Sequence, residues 1–383
     1  MPQNIELSEE NDLQALVINQ FPESKTLDYK EYLPGNSDSD KKEFLADVSS
    51  FANASGGYLI YGMRENSGFA SELCGLESID VDAEILRLEN IIRDGIKPRI
   101  PGVSLRVIHL QTSSKDVIII FSPMSWASPH MVSFKNDSKF YSRNSRGKYQ
   151  LDVSELRTAF VLSETTTERI RNFRIERLSK IIAGETPVRL NPSPKIILHI
   201  IPFGAFNPSS RFDVSSLATE RGRLQPISAG CWDSRHNFDG YVSFANSLTY
   251  LQVFRNGIIE AVDASIIESV DRTLTIPTIP SLLFERELIE ALPRFLSVQR
   301  QLGVEPPLFI LLSLLGVSGY RMGVNSRFDT YPIDRDTLIL PEIIVENFEC
   351  NPSEVMKPIF DAIWNAAGWP RSMNYEAGER VRR

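Results

Sequence analysis

The sequence predicts an α+β fold for the N-terminal part of the chain, with a mixed sheet and helices, followed by a second α/β domain. Three observations lead to this prediction. The chain has 383 residues, which is more than a single hydrophobic core usually organises. The first half contains an amphipathic helix followed at once by an apolar strand. The second half alternates strand-like runs with helices.

The first elements follow from caps, turns and helical spacing. The acidic run after Ser8 is typical of a capped first helix, which Pro22 ends. The turn-rich PGNSDSD segment is predicted to cap the next helix. Apolar residues repeat at helical spacing in KKEFLADVSSFANASGG, and Gly56 and Gly57 end this helix through positive φ angles. The run YLIYGM that follows is typical of a buried strand.

A third helix is predicted from Asp82 to Asp94, and the runs VSLRVIHL and DVIIIF are predicted to pair as a hairpin. A loop, a basic stretch and a helix that starts near Asp152 complete this domain. Polar and turn-forming residues around the GETP segment mark a boundary. We therefore predict a first domain at 1–162, a helical linker at 163–192 and a C-terminal α/β domain of unknown role at 193–383.

The second half contains six strand-like runs: KIILHIIPF, YVSFA, LTYLQVF, GIIEAV, LFILLSLLGV and LILPEIIV. Helices are predicted near 280–302 and 353–367, and Asn256-Gly257 favours a type I′ hairpin turn. His109 in the first domain and His199 here lie in apolar strands, so both are predicted to be core residues. No catalytic motif is visible in this half.

Composition narrows the classes of function. A hydrophobic content of 42% and a net charge of −8 are ordinary for a globular protein, so nucleic-acid binding must depend on local basic patches. No uncharged run is long enough for a membrane helix, and no membrane partner is expected. The three cysteines are far apart, which argues against structural zinc. The acidic N-terminus lacks a secretory signal, so we predict a cytoplasmic protein.

An acidic segment and the helix after it carry a family resemblance. ESKTLDYK is followed by KKEFLADVSSFANASGGYLIYG and then by RENSG. This order resembles the Schlafen AlbA_2 domain, in which an acid-rich strand, a loop, a helix ending in FAN-x-x-GG and a strand ending in IGV follow one another. The similarity extends from Glu23 to about Phe160 and includes FYSRNS, where the family has a strand similar to YIRVGSS.

The resemblance implies a metal-dependent endoribonuclease that acts on structured RNA such as tRNA, in defence or a stress response. Glu23, Asp28 and Glu65 match the family's acidic positions and would bind Mg²⁺ or Mn²⁺, and Lys30 is a fourth predicted catalytic residue. Two departures weaken the match. Asp28 replaces a glutamate, and Arg64-Glu65 replaces a pair of aspartates.

Elementary chemistry is compatible with such a metal site, because Mg²⁺ typically binds one or two carboxylates together with water and phosphate. Asp28 and Lys30 share one face of a strand, where Lys30 could contact a phosphate oxygen. Glu23 and Asp28 have opposite parity, so they converge only if the chain bends near Ser24 to Thr26. The alternative interpretation is that the acids are surface residues paired with lysines.

The basic stretch KNDSKFYSRNSRGK is the predicted nucleic-acid contact, through Lys135, Lys139, Tyr141, Arg143, Arg146 and Lys148. A second basic stretch covers 168–180. For both stretches, a solvated charged face is the alternative interpretation. One domain of this kind provides only half a groove, so we expect a homodimer that forms a wider cleft.

Three hypotheses for the whole protein remain open. The first is the metal-dependent endoribonuclease. The second is a non-catalytic nucleic-acid-binding or regulatory protein, which the replacement at Arg64 favours. The third is a nucleotide binder, because proteins similar to this family are often labelled ATP-binding. The sequence contains no G-x-x-x-x-G-K-[ST] loop, so a nucleotide would need another pocket.

Overall fold

The computed structural model describes residues 7, 9–77, 80–111, 113–135, 137–207, 210–219, 221–267, 277–323, 331–376 and 379–380. The chain divides into two compact units, Met1–Thr166 and Thr167–Arg383. This division falls within the segment predicted as a linker. Among the described helices, none combines the length and the apolar character needed to cross a membrane.

The N-terminal unit contains three helices and the start of a fourth. The helices are α1 Glu10–Ile18, α2 Asp38–Ala52, α3 Val81–Gly95 and α4 Val153–Ile182. The strands are β1 Leu27–Lys30, β2 Gly57–Tyr61, β3 Arg64–Asn66, β4 Phe69–Glu72, β5 Ile96–Lys97, β6 Ser104–Leu110, β7 Lys115–Ser122, β8 Met131–Phe134, β9 Asp137–Asn144 and β10 Gly147–Gln150.

Two four-stranded sheets form this unit. The first has the order β1-β2-β7-β6, in which β1 runs parallel to β2 while β2, β7 and β6 are antiparallel neighbours. The second has the order β10-β9-β8-β5 and is antiparallel throughout. The predicted α+β fold with a mixed sheet is therefore confirmed, and β6 and β7 pair as the predicted hairpin.

Helix α2 contacts strands of both sheets and is the centre of the core of this unit. The Ser37 hydroxyl caps it by accepting from the Asp40 N–H at 3.1 Å, as the turn-rich segment predicts. Its residues 44–52 are all buried, because a helix between two sheets has little solvent-facing surface. Helix α1 starts from Glu9, and the predicted cap, Ser8, lies outside the described residues.

The turn from α2 into β2 depends on Gly56. Its φ is +71°, and a β-carbon at this position would lie 2.7 Å from the Met124 backbone nitrogen. Both the left-handed conformation and the close approach of β7's continuation require glycine. The structure thus supports the conformational reason for a glycine at this helix end.

The C-terminal unit contains the rest of α4, then α5 Ser281–Gln301 and α6 Pro352–Ala366. Short 3₁₀ turns cover Phe203–Phe206, Ser215–Thr219 and Arg221–Arg223. The strands are β11 Lys195–Pro202, β12 Asp233–His236, β13 Gly240–Ala245, β14 Thr249–Phe254, β15 Ile259–Asp263, β16 Thr278–Ile279, β17 Leu308–Leu315, β18 Arg321–Met322, β19 Thr337–Ile339, β20 Ile343–Val345, β21 Tyr375–Glu376 and β22 Glu379–Arg380.

One large sheet organises this unit, with the order β12-β13-β14-β15-β11-β17-β19 and β20 also paired to β17. Alternate residues of β11 pack on opposite faces. Ile196, Leu198 and Ile200 join the core that contains α5 and α6. Ile197 and Ile201 pack with residues 170–181 of α4. Every strand pair in this sheet is antiparallel, so the C-terminal unit is a three-layer arrangement of helices on an antiparallel sheet rather than the predicted α/β type. LILPEIIV forms two short strands because Pro341 lacks the N–H that a ladder needs.

A buried charged network fixes the second half of α4 to this sheet. Arg177 donates to both carboxylate oxygens of Glu260, at 2.7 and 2.8 Å. The Tyr250 hydroxyl donates to Glu260 at 2.8 Å, and His199 Nε2 lies 3.0 Å from the same carboxylate. Burial alone raises the pKa of Glu260, but the bonds from Arg177 and His199 outweigh it and lower the pKa to about 2. Glu260 is therefore buried as an ionised carboxylate whose charge is balanced by Arg177.

Candidate functional site

A tight bend precedes β1 and brings two acids together. Ser24 and Leu27 pair across the bend, with the Ser24 N–H 2.9 Å from the Leu27 oxygen. Glu23 then folds back along the strand, and its Oε1 accepts from the Tyr29 N–H at 3.0 Å. The negative charge of Asp28 acts on Glu23 and is one cause of the raised pKa of Glu23. The chain therefore bends between Glu23 and Asp28, as it must if these two acids are to converge.

Both carboxylate oxygens of Asp28 are occupied by cations. Oδ1 accepts from Lys30 Nζ at 2.8 Å, and Oδ2 accepts from Arg143 Nη2 at 2.7 Å. The Arg143 side chain is only 3% exposed, and its guanidinium lies over the Phe51 ring at 3.9 Å. Arg143 Nε and Nη1 have no hydrogen-bond partner among the described residues. The bond between Asp28 and Arg143 therefore connects β1 of the first sheet with β9 of the second.

Helix α2 contributes a third buried acid, Asp47. Its Oδ1 accepts from Lys148 Nζ at 2.7 Å, and Lys148 also bonds the Glu43 carboxylate. The result is a network that we call the charged cluster, consisting of Glu23, Asp28, Lys30, Asp47, Arg143 and Lys148. It is assembled from the bend, β1, α2 and the β9–β10 hairpin.

The pKa shifts show how these groups act on one another. Burial raises the pKa of Asp28, but Lys30 and Arg143 outweigh it, so the net shift is downward. Burial and the nearby Asp28 raise the pKa of Glu23. Burial also raises the pKa of Asp47, although Lys148 partly offsets it. For Lys30, burial lowers the pKa, but the charges of Asp28 and Asp47 reverse this and raise it. Lys30 is therefore held as a charged ammonium group.

Glu65 does not join Glu23 and Asp28 in one group of ligands. Glu65 lies on β3, is exposed, and accepts from the Gly68 N–H of its own tight turn at 2.5 Å. Over the described ranges, no three His, Cys, Asp or Glu side chains form a group that could hold a metal ion. The expectation that Glu23, Asp28 and Glu65 converge on one ion is therefore wrong for this structure, because Glu65 closes its own hairpin while Asp28 faces the interior.

The replacement at Arg64 also has a defined structural role. Arg64 donates to both oxygens of Glu31, at 2.7 and 2.9 Å, and bonds Glu72 as well. A cation thus occupies the position where the family has an acid. Because both Asp28 oxygens already bond cations, and no group of three possible ligands is found among the described residues, the residues present do not fit a bound Mg²⁺ or Mn²⁺ as they are arranged.

Three of the six predicted nucleic-acid contacts lie toward the interior. Arg143 is enclosed between Asp28 and Phe51, and Lys148 is held by two acids of α2. Tyr141 packs against the core around α2, and its backbone oxygen accepts from Asn53. These residues share one face because strand side chains alternate, and that face is covered by the helix.

The other three predicted contacts are at least partly accessible. Arg146 is exposed in the turn between β9 and β10, where its N–H donates to the Asn144 side chain at 2.8 Å. Lys135 is exposed and forms an ion pair with Asp38 at 2.7 Å. Lys139 is half-buried. Among the predicted basic contacts, Lys135 and Arg146 are thus exposed, and Lys135 is already paired with an acid.

A cleft of about 370 Å³ is lined in part by Glu31, which follows β1 directly, and by no residue of the charged cluster. Tyr32 is 76% exposed, and the lining also includes Arg64, Cys74 and Lys115. The cleft combines paired charges with two leucines, and it includes none of the three predicted metal ligands. It provides an accessible concave surface next to β1.

The N-terminal unit is thus an α+β domain in which an acidic segment at the first strand meets a basic hairpin. Residues 23–152 match the family model described as Schlafen, AlbA_2, and this part of the chain is a Schlafen AlbA_2 domain. The match ends before the C-terminal unit. The comparison with curated proteins finds no match.

Among solved structures, this chain is similar to the crystal structure of the DIP2311 protein from Corynebacterium diphtheriae. The sequence identity is 18% and the TM-score is 0.25. The similarity covers 37% of this chain and 27% of that chain, so this chain spans about a quarter of the other protein's length.

Two features of the site were not predicted from the sequence. Asp47 lies on the apolar stripe of α2, three residues after Phe44 and four before Phe51, and an acid on such a stripe is a usable signal of a buried pair. The enclosure of Arg143 has no local signal, because it depends on the packing of β9 over α2.

Proposed function

We propose that this protein binds nucleic acid through its Schlafen AlbA_2 domain and does not cleave it by a metal-dependent reaction. The family assignment supports a nucleic-acid-related function. The observation that carries the non-catalytic part is the occupation of both Asp28 oxygens by Lys30 and Arg143. A carboxylate that already bonds two cations can offer an incoming ion its remaining lone pairs only beside two positive charges, and their repulsion disfavours a divalent ion.

The proposed binding surface surrounds the charged cluster. Lys25 is exposed in the bend before β1, and Arg146 is exposed in the hairpin turn three residues after Arg143. In the described part of the chain, neither Lys25 nor Arg146 takes part in an ion pair. The Lys30 side chain is 38% exposed. Internal cations compensate the buried acids, so Lys25 and Arg146 remain available for backbone phosphates.

Salt-dependent binding tests this surface. Labelled stem-loop RNA of tRNA type, unpaired RNA and duplex DNA are titrated with the full chain at several salt concentrations. The Lys25→Ala/Arg146→Ala variant is expected to bind more weakly, with the slope of log K against log salt reduced by about 1.4–1.8 for two lost phosphate contacts. Arg93→Ala is the matched control, because Arg93 is also exposed but lies on α3 and pairs with Asp94.

Two outcomes contradict the proposal. An unchanged slope in the double variant would exclude Lys25 and Arg146 as phosphate contacts. The absence of binding to all three probes at low salt would exclude nucleic-acid binding itself.

Metal-dependent endoribonuclease activity is the second candidate function. It is favoured by the side-by-side position of Glu23 and Asp28, with Lys30 on the same strand. The test compares tRNA cleavage in Mg²⁺ or Mn²⁺ between the native chain and a Glu23→Ala/Asp28→Ala variant. Our proposal predicts no difference. Glu23→Gln is a second variant that leaves the Asp28 ion pairs intact, and cleavage lost in both variants would establish the nuclease instead.

We further propose a cytoplasmic homodimer in which two AlbA_2 domains form one wider groove, with the C-terminal unit in a regulatory role. A single domain offers a phosphate backbone only one basic edge, and a two-fold pair doubles it. Light scattering of the full chain, with and without stem-loop RNA, measures the mass. A monomeric mass under both conditions would contradict the dimer.

A further inference from the structure

The ammonium group of Lys30 lies among three carboxylates that come from different parts of the domain. It bonds Asp28 on β1 at 2.8 Å. Asp47 on α2 and Glu23 before the bend also attract it electrostatically. Each of the three acids is at least partly buried. All three acids therefore act on Lys30.

The second observation is another buried cation beside Asp28. Arg143 is buried beside Asp28, and its Nε and Nη1 find no partner within the described residues. Buried guanidinium nitrogens normally have partners, so donors without them are a cost that the fold tolerates here. The cost is consistent with Arg143 being retained for its positive charge on Asp28.

We propose that Lys30 is the resident cation of the charged cluster and that its ammonium group excludes divalent metal ions from it. The latent ligands are Glu23, Asp28 and Asp47, so Asp47 takes the place that Glu65 was expected to fill. A hard divalent cation prefers such carboxylate oxygens, but it would have to enter beside two fixed positive charges. As the side chains are arranged in the described residues, no three acids form a group that could hold one ion.

This inference concerns ion binding alone and does not depend on the proposed nucleic-acid binding. It predicts that removing the charge of Lys30 creates a metal site where the native chain has none. Asp28 then keeps Arg143 on Oδ2, while Oδ1 becomes free. Glu23 and Asp47 supply the remaining oxygens.

The test is a titration of the full chain with Mn²⁺, in which the electron paramagnetic resonance signal of the free aqua ion reports unbound metal. Lys30→Met is expected to bind one Mn²⁺ at least about tenfold more tightly than the native chain, which corresponds to about 1.4 kcal/mol. The exposed Lys97 gives the matched control, Lys97→Met, which should behave as the native chain does. Lys30→Met/Asp47→Asn should lose the gained site.

Bound Mn²⁺ should also raise the thermal midpoint of Lys30→Met but not that of the native chain. If Lys30→Met does not fold, Lys30→Gln supports the same titration, because its amide also removes the positive charge while remaining polar beside Asp28. Tight binding of one Mn²⁺ by the native chain, or no gain in a folded Lys30 variant, would overturn the proposal. A gained site that persists after Asp47→Asn would overturn the assignment of Asp47.

Discussion

Replacement of Arg143 by methionine separates a structural cation from a nucleic-acid contact. In the native chain the guanidinium bonds Asp28 at 2.7 Å and covers the Phe51 ring, with the side chain 3% exposed. Methionine has a similar reach and fills the space without a charge. The substitution therefore leaves Asp28 buried with one cation instead of two.

The expected loss of stability follows from this geometry. Breaking a buried ion pair by removing one partner costs about 3–5 kcal/mol. Lys30 still compensates Asp28 in this variant, so we expect the lower end, about 3 kcal/mol. A surface substitution such as Arg146→Met is expected to change stability by no more than about 0.5 kcal/mol. Replacement of Arg143 should therefore lower the stability strongly, whereas replacement of Arg146, three residues later, should hardly change it.

Hydrogen exchange of the full chain measures the effect locally, because β1 and β9 amides report the opening free energy of this unit. In Arg143→Met these amides should lose about 3 kcal/mol of protection, while the salt slope of RNA binding stays the same. The Arg143→Met/Asp28→Asn variant should recover part of the loss, since neither charge remains. A loss below about 1 kcal/mol together with a reduced salt slope would show that Arg143 contacts phosphate and refute this reasoning.

Three further predictions concern stability. Arg177→Met should destabilise the chain by about 3–5 kcal/mol in urea unfolding, and Arg177→Met/Glu260→Gln by less; equal losses would contradict a compensated Glu260 carboxylate. Because the pKa of Glu23 is raised, its ionisation opposes folding as the pH rises past the ordinary value of 4.5, so Glu23→Gln should be more stable than the native chain at neutral pH and equal to it in acid. An advantage that persists in acid would contradict this cause. Gly56→Ala should cost about 1–3 kcal/mol, because φ is +71° and the added carbon lies 2.7 Å from a backbone nitrogen; an unchanged thermal midpoint would contradict it.

Local patterns were sufficient for most of the fold. The apolar spacing of α2, its Ser37 cap and the turn at Gly56 are all properties of neighbouring residues, and each is present in the structure. The same is true of the bend before β1, since the opposite parity of Glu23 and Asp28 allows them to meet only across a bend.

Whether a charged side chain is buried or exposed could not be predicted from its neighbours in the sequence. Strand alternation places Tyr141 and Arg143 on one face, but it cannot say whether solvent or α2 covers that face. The prediction that His109 is a core residue is wrong, because its neighbours Ile108 and Leu110 take the buried face and the imidazole bonds Asp116 at the surface. His199, predicted in the same way, is fully buried.

The acidic set shows the same limitation. Sequence order puts Glu65 soon after β2, where a third ligand is expected, but its tight turn lets it bond the Gly68 N–H instead. Asp47 was available as a signal within the apolar stripe of α2. Its pairing with Lys148, 101 residues later, depends on how the second sheet packs over the helix.

The 30-residue helix α4 has a practical consequence for anyone who divides this protein. A fragment that starts at residue 193 would lack the helix surface that packs on Ile197 and Ile201. It would also remove the Arg177 guanidinium from Glu260 and leave one face of the sheet uncovered. A truncation site chosen from loop composition would thus yield an aggregating product, whereas one that retains residues from 167 onward keeps the sheet covered.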